Sequence, residues 1–302
     1  MTNPPSPPAK ELGQFPFYNF YDYIRDNQLK YKQLAFEKEL MTQFTCPLEG
    51  RMQAMWSHHN YFVYVLEGKK IWHTPTGSHE LTKGSCVFVR KGANIVEQFF
   101  DAEFCILLFF VSDEFICETL RPLTLKASPT IEKHQPVFPV QADATITAFM
   151  HAMLPYFTQN PQPDKTLLEL KFRELLLNVA HNPHNREAIS YFRSLLNEPA
   201  AVSLRKIMED NFPYNLKLEQ YAQLCNRSLS AFKRDFQKIY GQTPGKWLLE
   251  RRLAHAKMLL MKADLSVSEI AYDSGFENLS HFSRAFREHF GAPPVAFRQK
   301  IG

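Results

Sequence analysis

Cysteine is scarce in this sequence and never paired at short range. The five residues, Cys46, Cys86, Cys105, Cys117 and Cys225, are odd in number and scattered, and no C-x-x-C occurs. That pattern speaks against a disulfide framework and a zinc ribbon, and it predicts reduced thiols in a cytoplasmic protein. Long apolar runs are missing as well. None approaches the roughly 20 residues that a membrane span needs. The opening MTNPPSPPAKEL is rich in proline and has no apolar core, so residues 1–13 are expected to be a disordered lead-in and not a signal peptide. There is no Gly-rich phosphate loop, no Ser/His/Asp arrangement, and neither the acidic pocket nor the α/β alternation of a receiver domain.

What remains is an ordinary globular balance, 45% hydrophobic and 22% charged, over 302 residues, enough for two or three domains. The small net charge of +4 is unevenly placed. Residues 201–302 hold 16 Lys and Arg against 10 Asp and Glu, a net +6, while residues 1–200 hold 19 against 21, a net −2. A basic back half behind a neutral-to-acidic front suggests that the back half meets a polyanion.

Residues 44–120 read as β-rich. Tyr61–Leu66 is a strand that runs into a turn at Glu67-Gly68, and Lys69–His73 starts a return strand. Phe104–Val111 is continuously apolar, as expected of a strand buried on both faces. Short strands at this spacing predict a sandwich or small barrel. Trp56, Tyr64 and Trp72 either line an apolar cavity in it or belong to a filled core. After Pro139 the period becomes helical. Ile146, Phe149, Met150, Met153 mark one helix, and Leu167, Leu168, Leu170, Phe172, Leu175, Leu176, Val179 mark another. The second carries more leucine than one narrow stripe needs, which suits a helix that packs on the barrel and on a second copy of the chain. A shorter helix over about 186–196 follows, and Asn197-Glu198-Pro199 reads as a linker.

The last hundred residues contain one pattern twice. Arg234-x-Phe236-x4-Gly241-x2-Pro244 recurs as Arg284-x-Phe286-x4-Gly291-x2-Pro294, with Phe232 and Phe282 ahead of each copy, all 50 residues apart. In the first copy Leu218, Tyr221, Ala222 and Leu224 line a short helix, Cys225-Asn226-Arg227 turns, and Ser228 caps a helix over 229–240. Its inward Phe232, Phe236 and Ile239 leave Ser230, Ala231, Lys233, Arg234 and Lys238 facing out. In the second, Ser266-Val267-Ser268-Glu269 is a capping box, Gly275-Phe276 turns, and Asn278 caps. Phe282, Phe286 and Phe290 pack, leaving Ser280, His281, Ser283, Arg284 and Arg287 outside. The helix between the copies, about 244–262, spans roughly 28 Å at 1.5 Å per residue. One turn of B-DNA is about 34 Å, so a single rigid helix suits two reading heads in successive major grooves. Arg234 and Arg284 have the planar fork that can hold guanine O6 and N7, while Lys238 and Arg287, a turn later, suit phosphate.

Residues 216–300 resemble the AraC/XylS family of transcription regulators. The matching strings are Leu218 to Arg234, Phe236 to Pro244, Arg252-Leu-x-x-Ala256-x-x-Leu259-Leu260, Glu269 to Phe276, Phe282-Ser-Arg-Ala-Phe286, and Phe290 to Pro294. The resemblance implies that helices 229–240 and 279–290 enter adjacent major grooves, with Ser230, Ala231, Lys233 and Arg234, then Ser280, His281, Ser283 and Arg284, at base-reading positions. Ser230 and Ala231 are small where the family often has larger readers, so the first unit would read chiefly through Lys233 and Arg234. Residues 15–182 are similar to the family's effector half, a cupin-like barrel followed by dimerisation helices. They are most similar to the subgroup of type III secretion activators, in which that half is associated with self-association or protein partners more clearly than with a sugar.

A metal-dependent cupin enzyme fused to a DNA-binding tail is the competing reading. Such a site wants His-x-His, a carboxylate a few residues on, and a distant His. His58-His59 are adjacent, which on a strand sends them to opposite faces. Glu67 falls in a turn, and His73 and His79 lack the spacing. An alkyl-DNA repair protein carrying a reactive cysteine and zinc is disfavoured by the scattered thiols.

The expected architecture is therefore α+β in two domains: a cupin-like effector and dimerisation domain over 14–182, a helical linker over 183–199, and an all-α DNA-binding domain over 200–302. The expected function is that of a DNA-binding transcription activator and not an enzyme, with no cofactor or metal. Its expected partners are double-stranded promoter DNA, RNA polymerase, a second copy of the chain and a small-molecule or protein effector, with no membrane.

Overall fold

The computed structural model describes residues 17–45, 52–74, 77–98, 104–123, 131, 134–159, 161–197, 200–262 and 265–299. The expected lead-in over 1–13 lies outside them. The chain divides into two compact units, Tyr18–Glu198 and Pro199–Gly302, with Phe17 grouped with the second. The first is sheet-rich and the second all-helical, as the α+β reading anticipates.

The sheet unit has two sheets and not one closed barrel. The smaller runs in the order β1 (Tyr18–Asn19), β4 (Met52–Ser57), β9 (Gly92–Gln98), β6 (Lys69–Thr74), β7 (Gly77–Thr82). The larger runs in the order β11 (Val137–Pro139), β8 (Cys86–Val89), β5 (Asn60–Glu67), β10 (Cys105–Val111), β3 (Glu39–Thr45), β2 (Gln33–Phe36). The strand after Gly68 does return, but across the gap: β5 pairs with β8 and β10, whereas β6 pairs with β7 and β9.

The apolar run of β10 now has its reason. Successive side chains of a strand point to opposite faces. Ile106, Leu108 and Phe110 enter a core between the sheets, which α1 (Phe20–Asp26) joins through Phe20, Tyr21 and Ile24. Leu107, Phe109 and Val111 enter a second core beneath four helices. These are α2 (Asp113–Leu120), α3 (Ala144–Ala152), α4 (Lys165–His181) and α5 (Arg186–Asn197). With both faces covered, alternation with polar residues would cost stability, and none is present.

Three details take definite form here. Trp56, Tyr64 and Trp72 are all buried but do not share one cavity. Tyr64 lies in the helix-facing core, Trp72 in the inter-sheet core, and Trp56 on the face of its strand opposite Met55, which belongs to the inter-sheet core. The period of two separates them, because Tyr64 sits on the helix side of β5 while its neighbours Val63 and Val65 face the other sheet. Helix α5, read as part of a linker, sends Ala188, Tyr191 and Phe192 into the helix-facing core. The Tyr191 hydroxyl donates to Asn60 Oδ1 at 2.9 Å. His58 and His59 sit in the bend between β4 and β5 and not on a strand, their rings 4.4 Å apart. His59 stacks on Tyr21 at 4.2 Å, and burial holds it down to about 3, so it is neutral at pH 7.

The helical unit comprises α6 (Ala200–Asn211), α7 (Leu218–Leu224), α8 (Leu229–Tyr240), α9 (Pro244–Lys262), α10 (Val267–Asp273), α11 (Leu279–Phe290) and α12 (Pro294–Gln299). Helices α7 to α11 are the two expected hairpins with their spacer. Helices α6 and α12 have no counterpart in the sequence reading. Among the described residues no helix is long and apolar enough to cross a membrane.

Candidate nucleic-acid interface

In the first hairpin, α7 buries Tyr221, Ala222 and Leu224. The chain then turns through Asn226 at φ 54, a left-handed conformation that asparagine tolerates better than most residues. The turn is closed by Arg227 N–H donating to Ala222 O at 2.9 Å. Ser228 caps α8, its hydroxyl accepting from Ala231 N–H at 3.3 Å. Phe232 and Phe236 are fully buried, and Phe236 stacks on Tyr240 at 4.4 Å. Ser230, Lys233, Arg234 and Lys238 are exposed and Ala231 is half-buried. The exposed face predicted for this helix is therefore present.

A carboxylate organises that face. Asp235 Oδ2 accepts from Arg227 Nη1 at 2.7 Å, and its Oδ1 accepts from Arg234 Nε at 3.1 Å. The turn is thereby tied to the side of α8, and one edge of the Arg234 guanidinium is held while the rest projects into solvent. Sequence reading missed Asp235 and Arg227. The pair spans eight residues and a turn, a separation that no helical or strand period announces.

In the second hairpin, Ser266 and Glu269 form the predicted capping box. Ser266 N–H donates to Glu269 Oε2 at 2.7 Å and Glu269 N–H to Ser266 Oγ at 3.2 Å. Helix α10 buries Ile270 and Ala271. Phe276 N–H donates to Ala271 O at 3.0 Å, and Asn278 Oδ1 accepts from His281 N–H at 2.8 Å to cap α11. Phe282 and Phe286 are fully buried. Ser280, His281, Arg284 and Arg287 are exposed and Ser283 is half-buried. Next to the turn, burial and the Glu269 charge push the Asp273 carboxyl up to about 6.

The repeat is not uniform. Matching turn bonds, Arg227 to Ala222 and Phe276 to Ala271, are 49 residues apart, whereas Phe232 and Phe282 are 50 apart. The second turn is one residue longer. Between the hairpins, α9 runs 19 residues, close to 28 Å by helical rise. It buries Trp247, Leu248, Leu253, Ala256 and Leu260.

The histidines outside this unit make no such assembly. His73 pairs with Ser78 Oγ at 2.8 Å and with Glu97 Oε2 at 3.1 Å. Among the described residues no group of three or more His, Cys, Asp or Glu is placed to hold a metal ion.

Comparison with known proteins matches both halves. Residues 60–191 match the family model of the ExsA N-terminal regulatory domain, and residues 221–300 match that of a helix-turn-helix domain. The virulence regulon transcriptional activator VirF of Yersinia enterocolitica is 27% identical over 238 residues, 78% of this chain and 87% of that protein. The HTH-type transcriptional regulator ExsA of Pseudomonas aeruginosa is 34% identical over 130 residues, 43% of this chain and 46% of that protein. Among solved structures, ToxT from Vibrio cholerae is 12% identical with a TM-score of 0.40, over 86% of this chain and 97% of that one.

Proposed function

The chain belongs to the AraC/XylS family of transcription regulators, and on that premise we propose that it activates transcription by seating α8 and α11 in successive major grooves of promoter DNA. The observation that carries the reading is the pair of side-chain-capped helices, each with an exposed polar face, on either side of one 19-residue helix. In this reading Lys233 and Arg234, with Ser230 and Ala231 beside them, read bases in one groove. Ser280, His281, Ser283 and Arg284 read the next. Lys238 and Arg287 take phosphates. The activating direction is carried over from the Yersinia relative, whose name describes a transcriptional activator.

The sheet unit would regulate. On α4, Leu168, Phe172 and Leu175 are buried while Leu167 and Leu170 are 37% and 59% exposed. The exposed pair lies outside the stripe that packs on the sheet, and a second copy of the chain is the proposed occupant. Replacing both leucines by glutamate is expected to leave a folded monomer in sedimentation. The effector acting on this unit is a small molecule or a protein, and RNA polymerase is the downstream partner, in the cytoplasm. The enzyme alternative is disfavoured by the paired histidines at a bend and by their packing on Tyr21, His59 stacked and His58 edge-on.

Selection of bound duplexes from a random pool by the full-length chain, at stated salt, tests the reading. Sites bearing two motifs about one helical turn apart, with affinity falling steeply as salt rises, are expected. Binding without a motif would overturn it.

A further inference from the structure

A straight helix fixes the distance between two reading heads but leaves their relative roll to whatever else joins them. The join is made at Arg252, midway along α9. Its Nε donates to Phe212 O at 2.9 Å and its Nη2 to Tyr214 O at 2.7 Å. Both carbonyls lie in the loop between α6 and α7 that leads into the first hairpin.

The same guanidinium abuts the turn of the second hairpin. Gly275 lies so close that a Cβ there would fall 2.8 Å from Arg252 Nε, 2.9 Å from Pro213 O and 3.0 Å from Phe212 O. Its φ of +83 also places it in the left-handed region. Entry loop, guanidinium and second turn are therefore in direct contact, with no room for a side chain between them. Tyr221 of α7 completes the group. Its hydroxyl donates to Asn211 O at 2.8 Å, and burial pushes it up to about 12 while the Arg252 charge acts in the opposite direction.

Apolar contacts of α9 with the second hairpin, through Leu253, Ala256 and Leu260, hold it in place but tolerate small rotations. Two directed bonds from separate nitrogens of one planar fork do not, and lysine would have to carry both on a single freely rotating ammonium. We infer that Arg252, seated against Gly275, is the positioning residue that sets the relative orientation of α8 and α11 and so the spacing between half-sites that the protein accepts.

This rests on the DNA-binding reading, and the test separates the two. Duplexes selected by the wild-type chain are remade with one base pair inserted or removed between their motifs, which rotates one motif by about a tenth of a turn. The wild type is expected to lose about tenfold in affinity for each change. Arg252→Lys and Gly275→Ala are expected to lose less than about threefold, because their second hairpin can roll to follow the displaced motif. Circular dichroism verifies folding, and Arg252→Gln, which keeps a donor nitrogen but loses the planar fork and the charge, stands in for a variant that fails to fold. If the folded variants discriminate spacing as sharply as the wild type, the inference is wrong while the DNA reading stands. If the wild type selects no paired motif, both fall.

Discussion

The first hairpin ties its turn to its outer helix with charge, and the second does the same with aromatic rings. Arg227 and Asp235 meet at 2.7 Å in the first. At the matching places the second has Phe276 and Ala285, and Phe276 packs at a tilt against Phe282 at 5.0 Å, which in turn meets Phe286 edge-on at 5.5 Å. The left-handed turn residue differs in the same sense. Asn226 is exposed and has room for its side chain, whereas Gly275 is buried against Arg252. A repeated motif therefore preserves the placement of helices while the chemistry that holds them follows local burial. The open turn can use a screened ion pair, and the buried turn requires apolar closure and glycine.

Moving the first hairpin's device into the second should break it most severely. Ala285→Asp places a carboxylate at a position only 8% exposed, with phenylalanine where an arginine would be needed. A loss of about 3 kcal/mol or more in chemical denaturation is expected. A loss under about 1 kcal/mol would mean the second hairpin is looser than its contacts indicate.

Removing the device from its own hairpin is milder. Asp235→Ala leaves Arg227 partly buried without its carboxylate, and the expected cost is about 1–2 kcal/mol. The wild-type advantage should shrink in 1 M salt, where the Debye length falls to about 3 Å. An advantage independent of salt would show that Asp235 acts through packing.

The second hairpin carries a pH signature. The Asp273 carboxyl is raised from its ordinary 3.8 to about 6. The unfolded chain gives up that proton first, so between about pH 4 and 6 the folded state binds more protons and stability falls as pH rises through that window. Asp273→Asn should therefore stabilise by about 1 kcal/mol at pH 7.5, after screening, and have little effect at pH 4. Equal effects at both pH values would contradict the assignment.

The smallest contrast lies in the caps. Ser228→Ala and Asn278→Ala should each cost about 1 kcal/mol in thermal unfolding, since both side chains accept from a first-turn N–H. A clear difference between them would show that one outer helix is held from elsewhere.

Local pattern made much of the helical unit legible in advance. The caps at Ser228, Ser266 and Asn278, the buried phenylalanines and the exposed arginines all follow from periods of three and four residues. The apolar run of β10 was legible for the same reason, because burial on both faces removes alternation. Partners set by tertiary contact were not legible. Tyr64 and Trp72 fall into different cores because Tyr64 points to the helix side of β5 while Trp72 points between the sheets, and α5 reads as a linker until Tyr191 is seen bonded to Asn60. Arg252 shows no role in its local pattern, since its carbonyl partners lie 38 and 40 residues away. The one-residue difference between the turns was hidden by the even 50-residue spacing of the phenylalanines.

The central claim is that each hairpin reads its own stretch of sequence. Base-by-base binding profiles of the full-length wild type, Arg234→Ala and Arg284→Ala, on the duplexes that the wild type selects, test it most directly. Each substitution should cost about 1–3 kcal/mol and abolish preference at a different base position, the two lying about one helical turn apart. If both substitutions weaken all sequences equally and leave every preference in place, the arginines touch only phosphate and the claim is wrong.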